Sequence, residues 1–314
     1  MNIIVDSKLR ECYNDLSKET LKTYMLNICK VLSLIESVDI SDIYKKSAII
    51  IKVLETKYEE VGTRKTKLSS CVSFLKCLKD DNNEKEVLKV IKEYNKEIDK
   101  LNIKMEERLI TRKKSEKELS SWISEEENSK IKKYLESRVE KSISNVKELK
   151  DLRNLVIYSF YEDLASRNEL ADSKIIYEDE VGMKEEYNYI VLNKSVRSIK
   201  YIMNNHKTKK SSGSKVIELS SSLYKLLEKY KVNVEKYNVD NWLLLNDIGN
   251  DKLTRNRLGV IYSSLGEIIG KKLSIRTNRH IKVSNMIDIE GIDKLANSMG
   301  HSVITAINIY AKKK

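Results

Sequence analysis

The hydrophobic period of this chain changes twice, and the changes limit the folds open to it. From Ser17 to Leu164 apolar residues recur every three or four positions, the period of a helix. Between Ile175 and Leu219 they alternate, as in strands, and after Ser220 the helical period returns. A short strand block inside an otherwise helical sequence predicts a mainly α fold carrying one small antiparallel β-sheet, α+β in class. The strands are expected at Ile175–Tyr177, Tyr187–Leu192, Arg197–Met203 and Lys215–Leu219, with hairpin loops at 193–195 and 204–214. Helices are expected after them at Leu223–Tyr230, Thr254–Ile269 and Ile292–Met299.

The first third of the chain is helical throughout. Ser17 is placed to cap a helix whose apolar face is Leu21, Tyr24, Met25, Ile28 and Leu32. A second helix carries Ile49, Ile50, Val53 and Leu54, and a third, starting near Thr63, carries Leu68, Val72, Leu75 and Leu78. Arg64, Lys65 and Lys67 lie in the first turn of this third helix, at the positive end of its dipole, where cations are disfavoured. Either a bound phosphate or plain solvation relieves that cost. Residues 84–110 read as one helix about 40 Å long. Val87, Ile91, Tyr94, Ile98, Leu101 and Met105 form its apolar seam. The adjoining stripe of lysines is interleaved with acidic residues and reads as a solvated, internally paired face. Thr111–Glu118 contains no apolar residue, so the expected boundaries are a helical domain at 1–112, a linker at 113–118 and a second domain at 119–314.

Composition narrows the partner. The 314 residues carry 59 Lys and Arg against 47 Asp and Glu, a net +12 that favours a polyanion. Cys12, Cys29, Cys71 and Cys77 form no CxxC pair and have no histidine nearby, which argues against zinc and for reduced thiols inside a cell. The N-terminus lacks the pattern of a secretory signal, and no run of 18 apolar residues is present to span a membrane. The chain has no proline, so its turns rest on Gly, Asn, Asp and Ser.

Only three histidines occur, His206, His280 and His301, and each adjoins a notable residue. His301 follows Gly300 and precedes Tyr310 by nine positions in Met-Gly-His-Ser-Val-Ile-Thr-Ala-Ile-Asn-Ile-Tyr. Arg279-His280 ends Leu273-Ser-Ile-Arg-Thr-Asn-Arg-His, 22 residues before His301. His206-Lys207-Thr-Lys-Lys-Ser-Ser-Gly213 occupies the expected hairpin loop, and Arg167 ends Tyr158-Ser-Phe-Tyr-Glu-Asp-Leu-Ala-Ser-Arg. In a straight helix His301 and Tyr310 would lie about 13 Å apart along the axis, too far to share one phosphate. The chain is therefore expected to bend between them, with Ser302 or Thr305 capping the second piece.

These four segments, in this order, resemble the active-site motifs of the tyrosine recombinases. The hairpin most resembles that of integrases of large DNA viruses and Polinton-type mobile elements. The resemblance is sharp over about residues 155–314 and only topological before that. It implies a two-domain, C-shaped clamp on duplex DNA, with a helical core-binding domain ahead of the catalytic domain. It implies site-specific cleavage and rejoining through a 3′-phosphotyrosine at Tyr310, with Arg167 and Arg279 clamping the phosphate and His301 assisting. Lys207 is expected to protonate the leaving oxygen, with Lys209, Lys210 and Lys215 as alternatives in the same loop. Arg276, His280 and Glu169 are expected to support the site. No metal or other cofactor is expected, because cationic side chains supply the electrostatics.

The expected partner is double-stranded DNA at specific sites, bound by a homotetramer that is monomeric or dimeric when free, in the host cytoplasm or nucleus. A type IB topoisomerase, a telomere resolvase, or a catalytically impaired DNA-binding relative would share the pattern. Three features depart from it: Arg276 stands where the family has histidine, Leu164-Ala165 where viral relatives have a proline pair, and Glu169 follows Arg167 by two positions rather than three. Only four residues follow Tyr310, so subunit coupling is expected to use the tyrosine helix or the N-terminal domain rather than a trailing helix.

Overall fold

The structure is a computed structural model and describes residues 2–139, 143, 145–180, 182–237, 240–286, 291–299 and 302–312. The chain divides into two compact units, 1–111 and 112–314. No helix among the described residues is long and apolar enough to cross a membrane.

The first unit is all helical: α1 (Asn2–Cys12), α2 (Lys18–Leu34), α3 (Asp42–Lys45), α4 (Ser47–Lys57), α5 (Val61–Leu78) and α6 (Glu84–Thr111). Ser17 caps α2 by accepting from the Thr20 amide. The seam of α6 buries Val87, Val90, Tyr94 and Leu101 against Ile28, Leu32, Ile50, Phe74 and Leu75. The Tyr94 hydroxyl donates to the Ile43 carbonyl at 2.7 Å, so the one polar atom of that buried ring has a partner.

The second unit opens with α7 (Glu116–Ser121), α8 (Glu125–Arg138) and α9 (Val146–Asp163). The segment read as a linker is partly structured. Ser115 and Glu118 form a reciprocal capping box, so helix begins at Glu116. Helix α9 is buried on nearly every side, from Leu152 to Tyr161, which marks it as the central element of the unit. Phe160 meets Tyr201 edge-on at 5.3 Å, and Tyr161 meets Tyr262 at 5.1 Å.

Four strands come next: β1 (Ser173–Tyr177), β2 (Asn188–Asn193), β3 (Ser198–Met203) and β4 (Lys215–Leu219), in spatial order β1-β2-β3-β4. The two hairpins β2–β3 and β3–β4 are antiparallel, as expected, but β1 runs parallel to β2, so the sheet is mixed. The reason lies in residues 178–187. Ten residues reach about 33 Å when extended, enough to return along a five-residue strand of about 17 Å. The return path is tied down where the Lys184 amide donates to the Tyr189 hydroxyl and where Glu180 pairs with buried Lys231. The outer side of β1 is covered by residues 241–243, with Lys174 bridged to Trp242.

After the sheet come α10 (Lys209–Ser212, within the β3–β4 loop), α11 (Tyr224–Val234), α12 (Arg255–Ser264), α13 (Ile275–Met286), α14 (Ile292–Met299) and α15 (Val303–Tyr310). A 3₁₀ turn at Leu265–Ile269 redirects the chain from α12 to α13. A Cβ on Gly266 would lie 2.5 Å from the Lys271 carbonyl oxygen and 2.8 Å from Leu273 Cγ.

Gly266→Ala is therefore expected to cost about 1–3 kcal/mol in urea unfolding, by overpacking against backbone. Gly259→Ala, inside α12 with 3.6 Å of clearance, is expected instead to stabilise by about 0.5–1 kcal/mol.

Candidate active site

Helix α9 stops at Asp163, where the Leu164 amide closes the last turn on the Phe160 carbonyl. The next residues descend beside the core. Buried Tyr161 donates its hydroxyl to the Arg167 carbonyl at 2.8 Å, and Ser166 donates to the same oxygen at 3.2 Å. These bonds fix the backbone at Arg167, whose Nη1 donates to the Met299 carbonyl at the end of α14. Two residues on, Glu169 is buried at 3% exposure, and its Oε2 is buried with no hydrogen-bond partner.

Arg279 comes to the same place from α13. Its side chain is buried, its Nε donates to the Ala165 carbonyl at 3.1 Å, and its guanidinium carbon lies 4.5 Å from the centroid of the Tyr310 ring. Burial holds the Arg279 guanidinium below its ordinary value; Tyr310 opposes this, and the nearby charge of Arg167 adds to it. Two guanidiniums thus share one neighbourhood, an arrangement that favours an anion between them.

The third cation comes from the sheet. Lys215 is the first residue of β4, paired with Met203. With Ser166, Arg167, Glu169, Met203, His206 and Met299 it lines a small, open cleft. Burial, and then the charge of Arg167, push its amine below the ordinary lysine value. The loop that delivers it is closed by His206, which is hydrogen-bonded through Nε2 to the Gly213 carbonyl at 2.9 Å and through Nδ1 to the Thr208 hydroxyl at 3.2 Å. Asn188, fully buried in β2, ties the loop to the arginine segment. Its amide donates to the carbonyls of Asn205 and Glu169, while its oxygen accepts from the Asn205 amide.

Tyr310 ends α15, which begins at Val303 with Ser302 as its cap, accepting from the Thr305 amide at 3.2 Å. The tyrosine is 7% exposed and packs with Ala165, Val283, Leu295, Met299 and Ala311. His280 lies beside it, ring centroids 5.0 Å apart, with Nδ1 3.0 Å from the Tyr310 carbonyl. That carbonyl can only accept, so Nδ1 carries the proton. Burial lowers the His280 pKa from 6.5 to about 4, so the ring is neutral at pH 7 and its Nε2 is a bare acceptor. The 3.3 Å approach of Nε2 to Glu118 is accordingly neither an ion pair nor a hydrogen bond at that pH.

The structure therefore brings Arg167, Arg279, Glu169, His280 and Tyr310 together. Lys207 is exposed and outside the cleft, and Lys215 takes the place beside Arg167. Arg276 is exposed on α13, and His301 lies outside the described residues. The basic turn of α5 does not present three free cations. Lys67 is buried, with its ammonium 5.0 Å from the centre of the Tyr58 ring, and Arg64 approaches Glu55 at 3.8 Å. Glu60, the cap of α5, supplies the anion that the helix N-terminus calls for. Among the described residues no three His, Cys, Asp or Glu side chains are grouped to hold a metal ion.

No protein-family model matches the chain, and no curated protein does. A crystal structure of XerA recombinase aligns over 100% of this chain and 95% of its own length, at 14% identity and a TM-score of 0.44.

A neutral buried histidine stabilises the fold above pH 6.5, and that contribution is lost as pH falls towards 4, because only the unfolded chain takes up the proton. The stability difference between the wild type and His280→Asn, measured by denaturant unfolding, is expected to shrink by about 3 kcal/mol across that interval. A difference that stays constant would contradict the assignment.

Proposed function

We infer that the chain is a tyrosine recombinase, a DNA strand transferase that works through a 3′-phosphotyrosine. The observation that carries this reading is the stacking of Tyr310 on buried Arg279, with Arg167 and Lys215 in the same neighbourhood. A tyrosine against one buried guanidinium, with a second guanidinium and a lysine of lowered pKa nearby, is the equipment for attack on a phosphodiester by a phenol. The Tyr310 oxygen bonds to phosphorus, and the bond to the 5′-oxygen breaks. Arg167 and Arg279 hold the non-bridging oxygens, where negative charge builds up. The leaving 5′-oxygen takes a proton from Lys215, and the phenolic proton passes to His301, a role assigned from the sequence motif. Reversal with a different 5′-hydroxyl rejoins the strand, so no nucleotide cofactor is consumed.

Lys215 is preferred over Lys207 because it lines the cleft and feels the charge of Arg167. Unit 1 is assigned to DNA binding as the core-binding domain, and the net charge of +12 fits phosphate contacts whose affinity falls with salt. The likeness of the 206–213 hairpin to those of viral and Polinton-type integrases favours integration of a mobile or viral genome. Assembly of four subunits on specific sites inside the host cell belongs to the same reading.

A nicked suicide duplex carrying the element's own attachment site tests the chemistry. Wild type is expected to trap a covalent adduct and Tyr310→Phe none; an adduct with the Phe variant would sink the mechanism. Lys215→Ala is expected to slow cleavage about 10²–10⁴-fold. A 5′-bridging sulfur, which leaves without a proton, should restore that rate. If it restores Lys207→Ala instead, the acid is Lys207.

A further inference from the structure

We propose that Glu118, on the first helix of the second unit, is a positioning residue that holds Tyr310 in its attacking place through Lys312. The proposal rests on the catalytic role inferred for Tyr310. Nothing in the recombinase motifs points to residue 118; the contacts do.

The main chain after Tyr310 is fastened at consecutive points. The Tyr310 carbonyl accepts from His280 Nδ1, the Ala311 amide donates to the Ile307 carbonyl, and the Lys312 amide donates to Ser284 Oγ at 2.8 Å. Ser284 in turn donates to the His280 carbonyl at 2.7 Å. The fastenings other than the Ala311–Ile307 bond therefore lead to α13. The Lys312 side chain reaches further, to α7, where its ammonium lies 3.3 Å from Glu118 Oε1 with both side chains mostly buried.

Glu118 is rigid enough to serve as the anchor. Its Oε2 accepts from the Ser115 amide at 2.8 Å and from the Ser115 hydroxyl at 3.0 Å, and its own amide donates back to Ser115. The helix is also pinned to α13 by the buried Ser121–Thr277 hydroxyl contact at 2.8 Å. Burial raises the Glu118 carboxyl, but the Ser115 amide and Lys312 outweigh it and hold the group below its usual range. The charged and titratable groups around it are Lys312 from the chain after α15, and His280 and Arg276 from α13. His280 is neutral and Arg276 exposed, so Lys312 is the cation in contact with this carboxylate.

The arrangement matters because the reaction is sensitive to where the phenol sits. A misplacement of about 1 Å costs on the order of 10²-fold in rate. The Tyr310 ring lies against Arg279 and a tilted His280, and its position along the helix axis is set by the anchored residues 311 and 312. An ion pair between two mostly buried groups, one of them locked in a capping box, resists that slippage better than an exposed pair would.

The test compares Glu118→Gln, Lys312→Met and the double variant. Glutamine keeps an acceptor for the Ser115 amide, so α7 stays capped while the charge is removed. Single-turnover cleavage of the suicide duplex at saturating protein is expected to slow about tenfold or more in each single variant, with the Kd for DNA unchanged. The double variant should be no slower than either single one. In parallel, hydrogen exchange at residues 303–312 should rise in Glu118→Gln, with no change in α9. Wild-type exchange behaviour in Glu118→Gln overturns the proposal whatever the activity. Wild-type cleavage that proceeds unslowed in Glu118→Gln overturns it as well. A wild type that forms no adduct refutes the catalytic reading instead, and the exchange result then decides whether Glu118 anchors the helix.

Discussion

Arg279 carries a charge that persists at any working pH, and the second unit keeps it almost wholly out of water. Such a group is tolerated only if its donors are satisfied and its charge has a use. The Ala165 carbonyl takes one donor, and the guanidinium carbon lies over the Tyr310 ring at 4.5 Å from its centroid. The Ala165 carbonyl is where it is because α9 is packed on all sides and ends two residues earlier. The Tyr310 ring is there because α15 starts from a fresh cap at Ser302. The central helix, the capped terminal helix and the buried cation are thus one arrangement, and displacing any of them leaves a guanidinium without compensation.

The sheet has a narrower task. Its strands carry few of the candidate functional groups, yet their register decides which lysine reaches the arginines. Lys215 opposes Met203 across the β3–β4 pairing, and both line the cleft. Lys207, eight positions earlier in the same loop, is carried outward past His206. One hairpin therefore contains both an exposed lysine and a partly buried one, and burial and the charge of Arg167 lower the amine of the second.

Much of this was legible in the sequence, for identifiable reasons. The helices of unit 1 and the α6 seam follow from strong periodicity, Arg279 and Tyr310 stood out through their spacing from His301, and Arg167 through the resemblance of its segment to a recombinase motif. The parallel pairing of β1 with β2 did not, because pairing direction depends on the path of residues 178–187 and leaves no trace in the alternation of the strands. Lys67 looked like a surface cation because sequence does not show that Tyr58 lies over it. Glu118 was hidden by its surroundings in Thr-Arg-Lys-Lys-Ser-Glu-Lys-Glu, where the capping-box spacing from Ser115 was the one available signal. Asn188 gave no signal at all, since a lone asparagine in an apolar strand is informative only when its amide partners are known.

The apolar residues around Tyr310 form a small cluster of their own, separate from the main core that surrounds α9. Groups of contacts that do not share a core do not have to melt together. Detaching the terminal helix forfeits the burial of a few side chains, a handful of polar contacts and the Tyr310 cover of Arg279, while the sheet and α9 keep their packing. Tyr310 is therefore mounted on a separable piece of its own unit. Its place can be gained or lost by local unfolding of about ten residues, at a free energy below that of the whole unit.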